Sequence, residues 1–270
     1  MRSDEILKIC SGADLSYQPL MVSYLDSIAK MEDAAIQRRL LNELLRRQTR
    51  MAARIDSLLR NTLPSPVADE ITYSGSFTPA QYHCTIMFSD FLSFTALAER
   101  IDPAELVIIL HEIFSRFDDI TAGWNGTKIK TMGDSYMSVF GAPDPFDGHA
   151  ERAVRAGLAM LAALENFNEK NPVDMRMRVG IHTGTVVAGV VGKHRMQFDV
   201  FGDDVNIASR FESSGAPGRV SVSENTYKLT EGIFQFEERG MVACKNKGLM
   251  KAFFVVGDKE VASYGDNRQP

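Results

Sequence analysis

CTIMFSD (84–90) and TKIKTMGDSYMSVFG (127–141) decide how this chain folds. The first is a short apolar run of β-forming residues that ends in an acid. The second holds two strand-like runs on either side of Gly133-Asp134, a two-residue turn that makes a β-hairpin with an acid at its tip. Between them, AELVIILHEIFSRFDDIT (104–121) carries Leu106, Ile109, Leu110, Ile113 and Phe117 at helical spacing, with Pro103 where a first turn accepts proline. Residues 150–168 read as a second amphipathic helix. MRMRVGIHTGTVVAGVVG (175–192) reads as two strands around His182-Thr183-Gly184, MQFDVFG (196–202) as another strand, and DDVNIASRFESSG (203–215) as a helix. RVSVS (219–223), a short helix through Tyr227 and KAFFVVG (251–257) complete the pattern. A β-α-β-β-α-β order with later additions predicts an α+β fold. It is a ferredoxin-like core with added strands, an antiparallel-rich sheet with helices packed on one face.

Residues 1–72 have a different texture and read as an N-terminal helical segment, with the main domain at 73–270. From Leu20 to Arg60 there is neither Gly nor Pro. Leu41, Leu44, Gln48, Met51, Ile55 and Leu58 follow a 3-4 spacing, a short heptad seam with one polar position. Both a parallel coiled coil and a single amphipathic helix packed on its own domain fit that pattern. Seven Arg against Glu43 and Asp56 between Gln37 and Arg60 make this stretch basic, which suits a solvated face or contact with anionic lipid. Two prolines in NTLPSPVADE (61–70) close the helix.

The 270 residues carry 30 Lys and Arg against 35 Asp and Glu, a net charge of −5. A protein that coats nucleic acid needs a basic excess, so that partner class is excluded. The longest wholly apolar run, 156–164, is far short of the ~20 residues of a membrane helix. MRSDEILKICSGADL has early acids and no long apolar region, so it does not read as a signal peptide. Cys10, Cys84 and Cys244 are too few and scattered for a disulfide framework or a zinc knuckle, and a reducing cytoplasm is the expected setting.

Several common sites are absent. There is no G-x-x-x-x-G-K-[ST] or G-x-G-x-x-G, no nucleophile elbow, and His83, His111, His149, His182 and His194 never pair at metal-ligand spacing. What remains are carboxylates at strand ends. If the hairpin pairs with the first strand, Asp90 and Asp134 project at one end of the sheet. Two acids without a fixed basic partner repel each other unless a cation lies between them. Mg²⁺ suits such a pair, because it takes one or two carboxylates and leaves its other positions to phosphate and water. Asp after Gly is also ordinary turn chemistry, so the two acids alone leave both readings open.

FSDFLSFT (88–95), TKIKTMGDSYM (127–137), RVGIHTG (178–184) and QFDVFGDDVNIASRFE (197–212) stand in this order. Together they resemble the class III nucleotide cyclase catalytic domain, the adenylate and guanylate cyclase family, over residues 84–257. The resemblance implies that Asp90 and Asp134 hold metal and that Phe91 lends a backbone carbonyl. It places Lys130 and Asp199 on the purine, where Lys as donor and Asp as acceptor fit adenine and not guanine. Guanylate cyclases carry Glu at the position of Lys130. Asn206 would orient the ribose and Arg210 would meet charge on the α-phosphoryl group. CKNKG (244–248) resembles the block that supplies a triphosphate lysine, with Lys247 preferred and Lys245 second, and with Asn246 departing from the family's Gly. Arg195 is carried to a phosphate-side loop.

The implied activity is conversion of ATP to 3′,5′-cyclic AMP and pyrophosphate with two Mg²⁺ per site, Mn²⁺ being a possible substitute. In this family the site lies between two catalytic domains, and this domain carries both residue sets, so a head-to-tail homodimer is expected. Residues 37–60 would then join the two chains and relay a signal from an upstream sensor. The resemblance leaves two rivals: a guanylate or mixed-specificity cyclase, and a catalytically silent dimerising module. The silent form is expected to have lost an aspartate, the Asn or the Arg, and none is lost.

Overall fold

A computed structural model describes residues 22–23, 26–28, 30, 34–92, 94, 98–171, 173–244 and 247–259. The chain divides into two compact units, 1–62 and 63–270. In the first, α1 (Ala34–Arg60) buries none of its residues. Its length is about 40 Å at the usual helical rise. Ion pairs one turn apart, Arg47–Glu43 at 3.1 Å and Arg60–Asp56 at 2.8 Å, brace it. Met51, Ile55 and Leu58 of the seam are exposed.

The second unit begins with α2 (Ser65–Ser74), which starts on the Pro64–Pro66 pair and stops at left-handed Gly75. The strands and helices then follow as β1 (Ala80–Leu92), α3 (Pro103–Gly123), β2 (Gly126–Met132), β3 (Ser135–Phe140), α4 (His149–Lys170) and β4 (Arg176–Val191). After these come β5 (Gln197–Phe201), α5 (Asp203–Ser213), β6 (Val220–Ser223), α6 (Glu224–Thr230), β7 (Phe234–Cys244) and β8 (Gly248–Asp258). The sheet order is β2-β3-β1-β4-β6-β8-β7, with β5 paired to β4. The β4–β6 contact is parallel and the other pairings are antiparallel. The expected βαββαβ core is therefore present as β2-β3-β1-β4, with β6, β8 and β7 added beyond β4.

Two expectations change. Residues 175–192 do not form two strands around His182-Thr183-Gly184; β4 is one strand of sixteen residues, paired with β1 from Arg176↔Leu92 to Ala188↔Ala80. The glycines there serve packing. A Cβ on Gly180 would sit 2.0 Å from the Glu212 nitrogen, and one on Gly184 would sit 2.4 Å from the Asp204 carboxylate. Nor do the helices share one face. Val179 and Ile181 pack in the main core with Ala153, Met160 and Phe117 of α4 and α3. The intervening Gly180 and His182 meet α5, His182 stacking on Phe211 with ring centroids 6.3 Å apart. Because strand side chains alternate, α5 lies on the opposite face of β4 from α4.

Gly180→Ala would force α5 away from β4 against backbone. A loss of about 3 kcal/mol is expected from overpacking, read as a lower urea midpoint. Gly123→Ala, where an added Cβ meets nothing within 4 Å, is expected to leave the midpoint unchanged or raise it.

Candidate active site

The register builds the first half of the site. β1 and β3 pair with Ser89 opposite Tyr136, which brings Asp90 beside Ser135 and the Gly133-Asp134 turn. The Ser135 hydroxyl donates to Asp90 Oδ1. On the other side Asp90 faces Arg178 of β4, and the guanidinium Nη2 donates to Asp90 Oδ2 at 3.2 Å. The two acids thus meet at one end of the sheet. They do not lack a fixed basic partner, as the sequence reading supposed: Arg178 is one. Burial pushes the Asp134 carboxyl above its usual range, and the charge of Asp90 adds to this. Its backbone hydrogen bond and Arg178 act the other way. Arg178 also donates through Nε to Glu212 Oε1 at 3.0 Å and through Nη1 to the Ser213 carbonyl at 3.1 Å. Burial lifts the Glu212 carboxyl to about 7; Arg178 opposes the rise, while Asp90 and Asp134 add to it.

Phe91 turns its side chain away from this cluster, into the core against Phe114 and Phe117, which anchors the main chain beside Asp90. The donors gathered here are hard oxygens: two carboxylates, the charge of Asp90 disfavouring ionisation of Asp134, and nearby backbone. That set fits a hard divalent cation. Among the described residues no group of three or more His, Cys, Asp or Glu is arranged around an ion position.

The second pair meets elsewhere. Lys130 Nζ lies 2.5 Å from Asp199 Oδ2, and the Val200 N–H donates to Asp199 Oδ1 at 2.9 Å. Lys130 is on the β2 edge, whereas β5 is attached beyond β4, four strand steps away. In a flat sheet those steps would separate them by about 19 Å. The contact shows that the sheet curls until these strands face each other.

α5 carries Asn206 and Arg210 on its exposed side and buries Ile207, Ala208 and Phe211 on the other. Neither Asn206 nor Arg210 has a side-chain hydrogen bond or ion pair among the described residues. The helix start is fixed through Asp204, whose two oxygens accept from the Thr185 N–H at 2.7 Å and meet His182 Nε2 at 3.0 Å. His182 Nδ1 meets Ser223 Oγ at 2.7 Å. Lys247 comes to the same end of α5, with Nζ 3.6 Å from Asp203 Oδ2. Arg195 is exposed in the β4–β5 loop. Lys245 and Asn246 lie outside the described residues.

The expected residues therefore fall into separate groups: Asp90 with Asp134, Lys130 with Asp199, and Asn206 and Arg210 on α5 with Lys247 at the start of that helix. Among the described residues no hydrogen bond or ion pair joins the first group to either of the others. Sequence reasoning missed Arg178 and Glu212. Arg178 lies within the quoted RVGIHTG, but its partners follow from cross-strand register, which the linear pattern does not carry.

Fold and site together define a mixed α+β domain with paired acids at a hairpin tip. Residues 78–257 match the family described as "Adenylate and Guanylate cyclase catalytic domain". The chain belongs to that family, the class III nucleotide cyclases. An adenylate cyclase of Mycobacterium bovis is 35% identical over 217 residues, covering 80% of this chain and 49% of its own length. The beta-2 subunit of soluble guanylate cyclase from Rattus norvegicus is 37% identical over 204 residues, 74% of this chain and 30% of its own. The crystal structure of the guanylate cyclase domain of RhGC from Catenaria anguillulae in complex with GTP matches with a TM-score of 0.64 at 31% identity. That match covers 67% of this chain and 100% of that one. The chain thus spans less than half the length of these two curated relatives.

The histidines beneath the site set a pH dependence. Burial holds His149 and His182 below the usual 6.5; His83 reinforces this at both, Lys247 also does so at His182, and Asp147 and Asp204 oppose it. The unfolded chain therefore binds protons first on acidification, and stability present above about pH 6.5 is lost below it. The raised Glu212 carboxyl acts in the opposite sense over this range in both chains, so it is the urea-midpoint advantage of the native chain over the His149→Gln/His182→Gln chain that should shrink between about pH 7.5 and 5.5.

Proposed function

We propose that this chain is the catalytic part of an adenylate cyclase that makes 3′,5′-cyclic AMP and pyrophosphate from ATP as a homodimer. The observation that carries the purine choice is the Lys130–Asp199 contact at 2.5 Å, which holds a donor and an acceptor side by side. Lys130 Nζ donates to adenine N1 and Asp199 accepts from the N6 amino group; guanine presents the reverse at those edges.

Asp90, Asp134 and the Phe91 carbonyl are the residues that would hold Mg²⁺, or Mn²⁺ in its place. When bound, two such ions acidify the ribose 3′-hydroxyl and neutralise the triphosphate. Asn206 orients the ribose. Arg210 offers a planar fork to the oxygens of the α-phosphoryl group as charge grows there. Lys247, with Lys245 as the second candidate, and Arg195 meet the outer phosphates.

Three features support two chains per site. Asn206 and Arg210 are exposed and unpaired among the described residues. Among the described residues no direct hydrogen bond or ion pair within one chain joins them to Asp90 or Asp134. The β4–β5 hairpin leaves Val187, Val191, Met196 and Phe201 between 44% and 55% exposed close to Asp199, an apolar face suited to a second domain. The exposed Met51, Ile55 and Leu58 of the α1 seam support a role for residues 1–72 in dimerisation and in relaying a signal to the domain at 73–270. A reducing, cytoplasmic setting suits the buried free thiols of Cys84 and Cys244. Among the described residues no helix is long and apolar enough to cross a membrane.

A cyclic-nucleotide assay with Mg²⁺ or Mn²⁺ against ATP and GTP tests the activity. Lys130→Glu/Asp199→Cys should lower kcat/KM for ATP by at least about 10²-fold and raise relative GTP use, because groups left unpaired in a hydrogen-bonding site are costly. Unchanged ATP kinetics in that chain, or a native preference for GTP, would overturn the assignment.

Complementation tests the shared site. Asp134→Ala and Arg210→Ala homodimers should each lose at least about 10³-fold in turnover. Co-expressed at equal ratio, about half of the dimers are mixed. Each mixed dimer has one interface with both defects and one intact, so about a quarter of native activity should return. A folded, co-purifying mixture as inactive as its parts would place the whole site within one chain.

A further inference from the structure

We propose that His182 is a positioning residue for Asn206 and Arg210, and that a directed run of four buried hydroxyl groups joins it to His149 on the other face of the sheet. The positioning role rests on the reading that Asn206 and Arg210 serve turnover. His182 Nε2 lies 3.0 Å from Asp204 Oδ1 at the start of α5, and its Nδ1 lies 2.7 Å from Ser223 Oγ. From Ser223, the last residue of β6, the run continues to Thr226 Oγ1 at 3.3 Å and Thr183 Oγ1 at 3.0 Å. It goes on to Thr85 Oγ1 at 2.8 Å and ends 2.7 Å further at Nδ1 of His149, the first residue of α4. The four hydroxyl residues and His182 are fully buried. His182 points to α5, whereas Thr183 points with Ile181 to the α4 side, so the run passes round the end of β6.

Proton counting sets the direction. A carboxylate only accepts, so His182 Nε2 carries the hydrogen, and in the neutral ring that burial favours Nδ1 is bare. The Ser223 hydroxyl therefore donates to Nδ1. Each hydroxyl has one proton to give, so Ser223 accepts from Thr226, Thr226 from Thr183, Thr183 from Thr85, and Thr85 from His149 Nδ1–H. The opposite order beyond Ser223 would set two oxygen lone pairs against each other across the Ser223–Thr226 contact, with no water to turn between them. The two histidines thus hold opposite tautomers, His182 as Nε2–H and His149 as Nδ1–H. Held at both nitrogens, the His182 ring cannot turn, and it keeps its donor on Asp204. The other oxygen of Asp204 accepts from the Thr185 N–H at 2.7 Å, so the start of the helix bearing Asn206 and Arg210 is referred to β4 twice.

The test labels the histidine rings of the full chain with ¹⁵N and reads their tautomers by NMR at about pH 8, where free imidazole is neutral. His149→Gln and His182→Gln assign the signals. The native chain should show His182 as Nε2–H and His149 as Nδ1–H. In Asp204→Asn the Thr185 N–H, which cannot turn, keeps the amide oxygen, so the amide NH₂ faces His182 Nε2. His182 then becomes Nδ1–H, the run reverses, and His149 should change to Nε2–H although it has no hydrogen bond or ion pair with Asp204. Thr183→Val cuts the run, so adding Asp204→Asn to it should leave His149 unchanged; if Thr183→Val does not fold, Ser223→Ala makes the cut. A native His149 in the Nε2–H form, or a His149 that ignores Asp204→Asn, overturns the relay. If Asp204→Asn does not fold, the native tautomers alone decide.

Kinetics test the positioning role. His182→Gln still offers Asp204 a donor and should keep kcat for ATP within about threefold, whereas His182→Leu should lower kcat at least about tenfold with KM little changed. If His182→Leu does not fold, Asp204→Ala should show the same loss. Native kcat in either chain overturns the role. If the native chain forms no cyclic nucleotide from ATP or GTP, the cyclase reading itself fails, and the tautomers still decide the relay.

Discussion

The arrangement of this domain depends on one guanidinium. Arg178 sits on β4, reaches across to Asp90 on β1, and back to the side chain of Glu212 and the carbonyl of Ser213 at the end of α5. Removing charges from water is expensive, and such a cluster persists only when each charge is paired and its lone pairs are used. The cost remains visible in Glu212, whose carboxyl rises to about 7 through burial even with Arg178 beside it. A sheet end that holds acids together in this way is poorly arranged for stability alone. It is well arranged to receive positive charge.

β4 is the strand that makes this geometry possible. It pairs with β1 along thirteen residues on one edge, and takes β6 and then β5 in tandem on the other. Its alternation serves two helices at once: Val179 and Ile181 face the core beneath α4, while Gly180 and His182 face α5. Along its length it supplies Arg178 to Asp90, His182 and the Thr185 N–H to Asp204, and Gly189 opposite Asp199. Each group of the candidate site is therefore referred to a single element. Errors in its register would displace the groups together, since a one-residue slip turns every side chain to the other face.

How much of this was legible follows from the range of each interaction. The β2–β3 hairpin, its acid tip and the helices over 104–121 and 150–168 rest on local pattern, and they stand where residue spacing put them. His182-Thr183-Gly184 misled because a glycine between apolar runs usually marks a turn. Here it is tertiary: Gly184 makes room for the Asp204 carboxylate, from a helix twenty residues further on, and only the three-dimensional packing reveals that. Arg178 and Glu212 were missed for the same reason. Asp90 and Asp134 looked unpaired because their counter-charge comes from a strand forty-odd residues beyond the hairpin, opposite Asp90 by register alone. The curl that brings Lys130 to Asp199 likewise has no local signature. The resemblance named both residues without saying that they touch.

The same long-range links bear on how two active centres in a homodimer would behave. In the proposed dimer, Asp90 and Asp134 of one chain serve one site, while Asn206 and Arg210 of that chain serve the other. Within the chain these half-sites are not independent. α5 carries Asn206 and Arg210 on its exposed side, is pinned at its start by Asp204 to His182 and Thr185, and is tied at its end by Glu212 and Ser213 to Arg178, hence to Asp90. A helix of eleven residues, packed against glycine, has little freedom to tilt without moving both ends. In the proposed dimer the charge that Asp90 meets on filling one site would bear first on Arg178, the group that holds the end of α5.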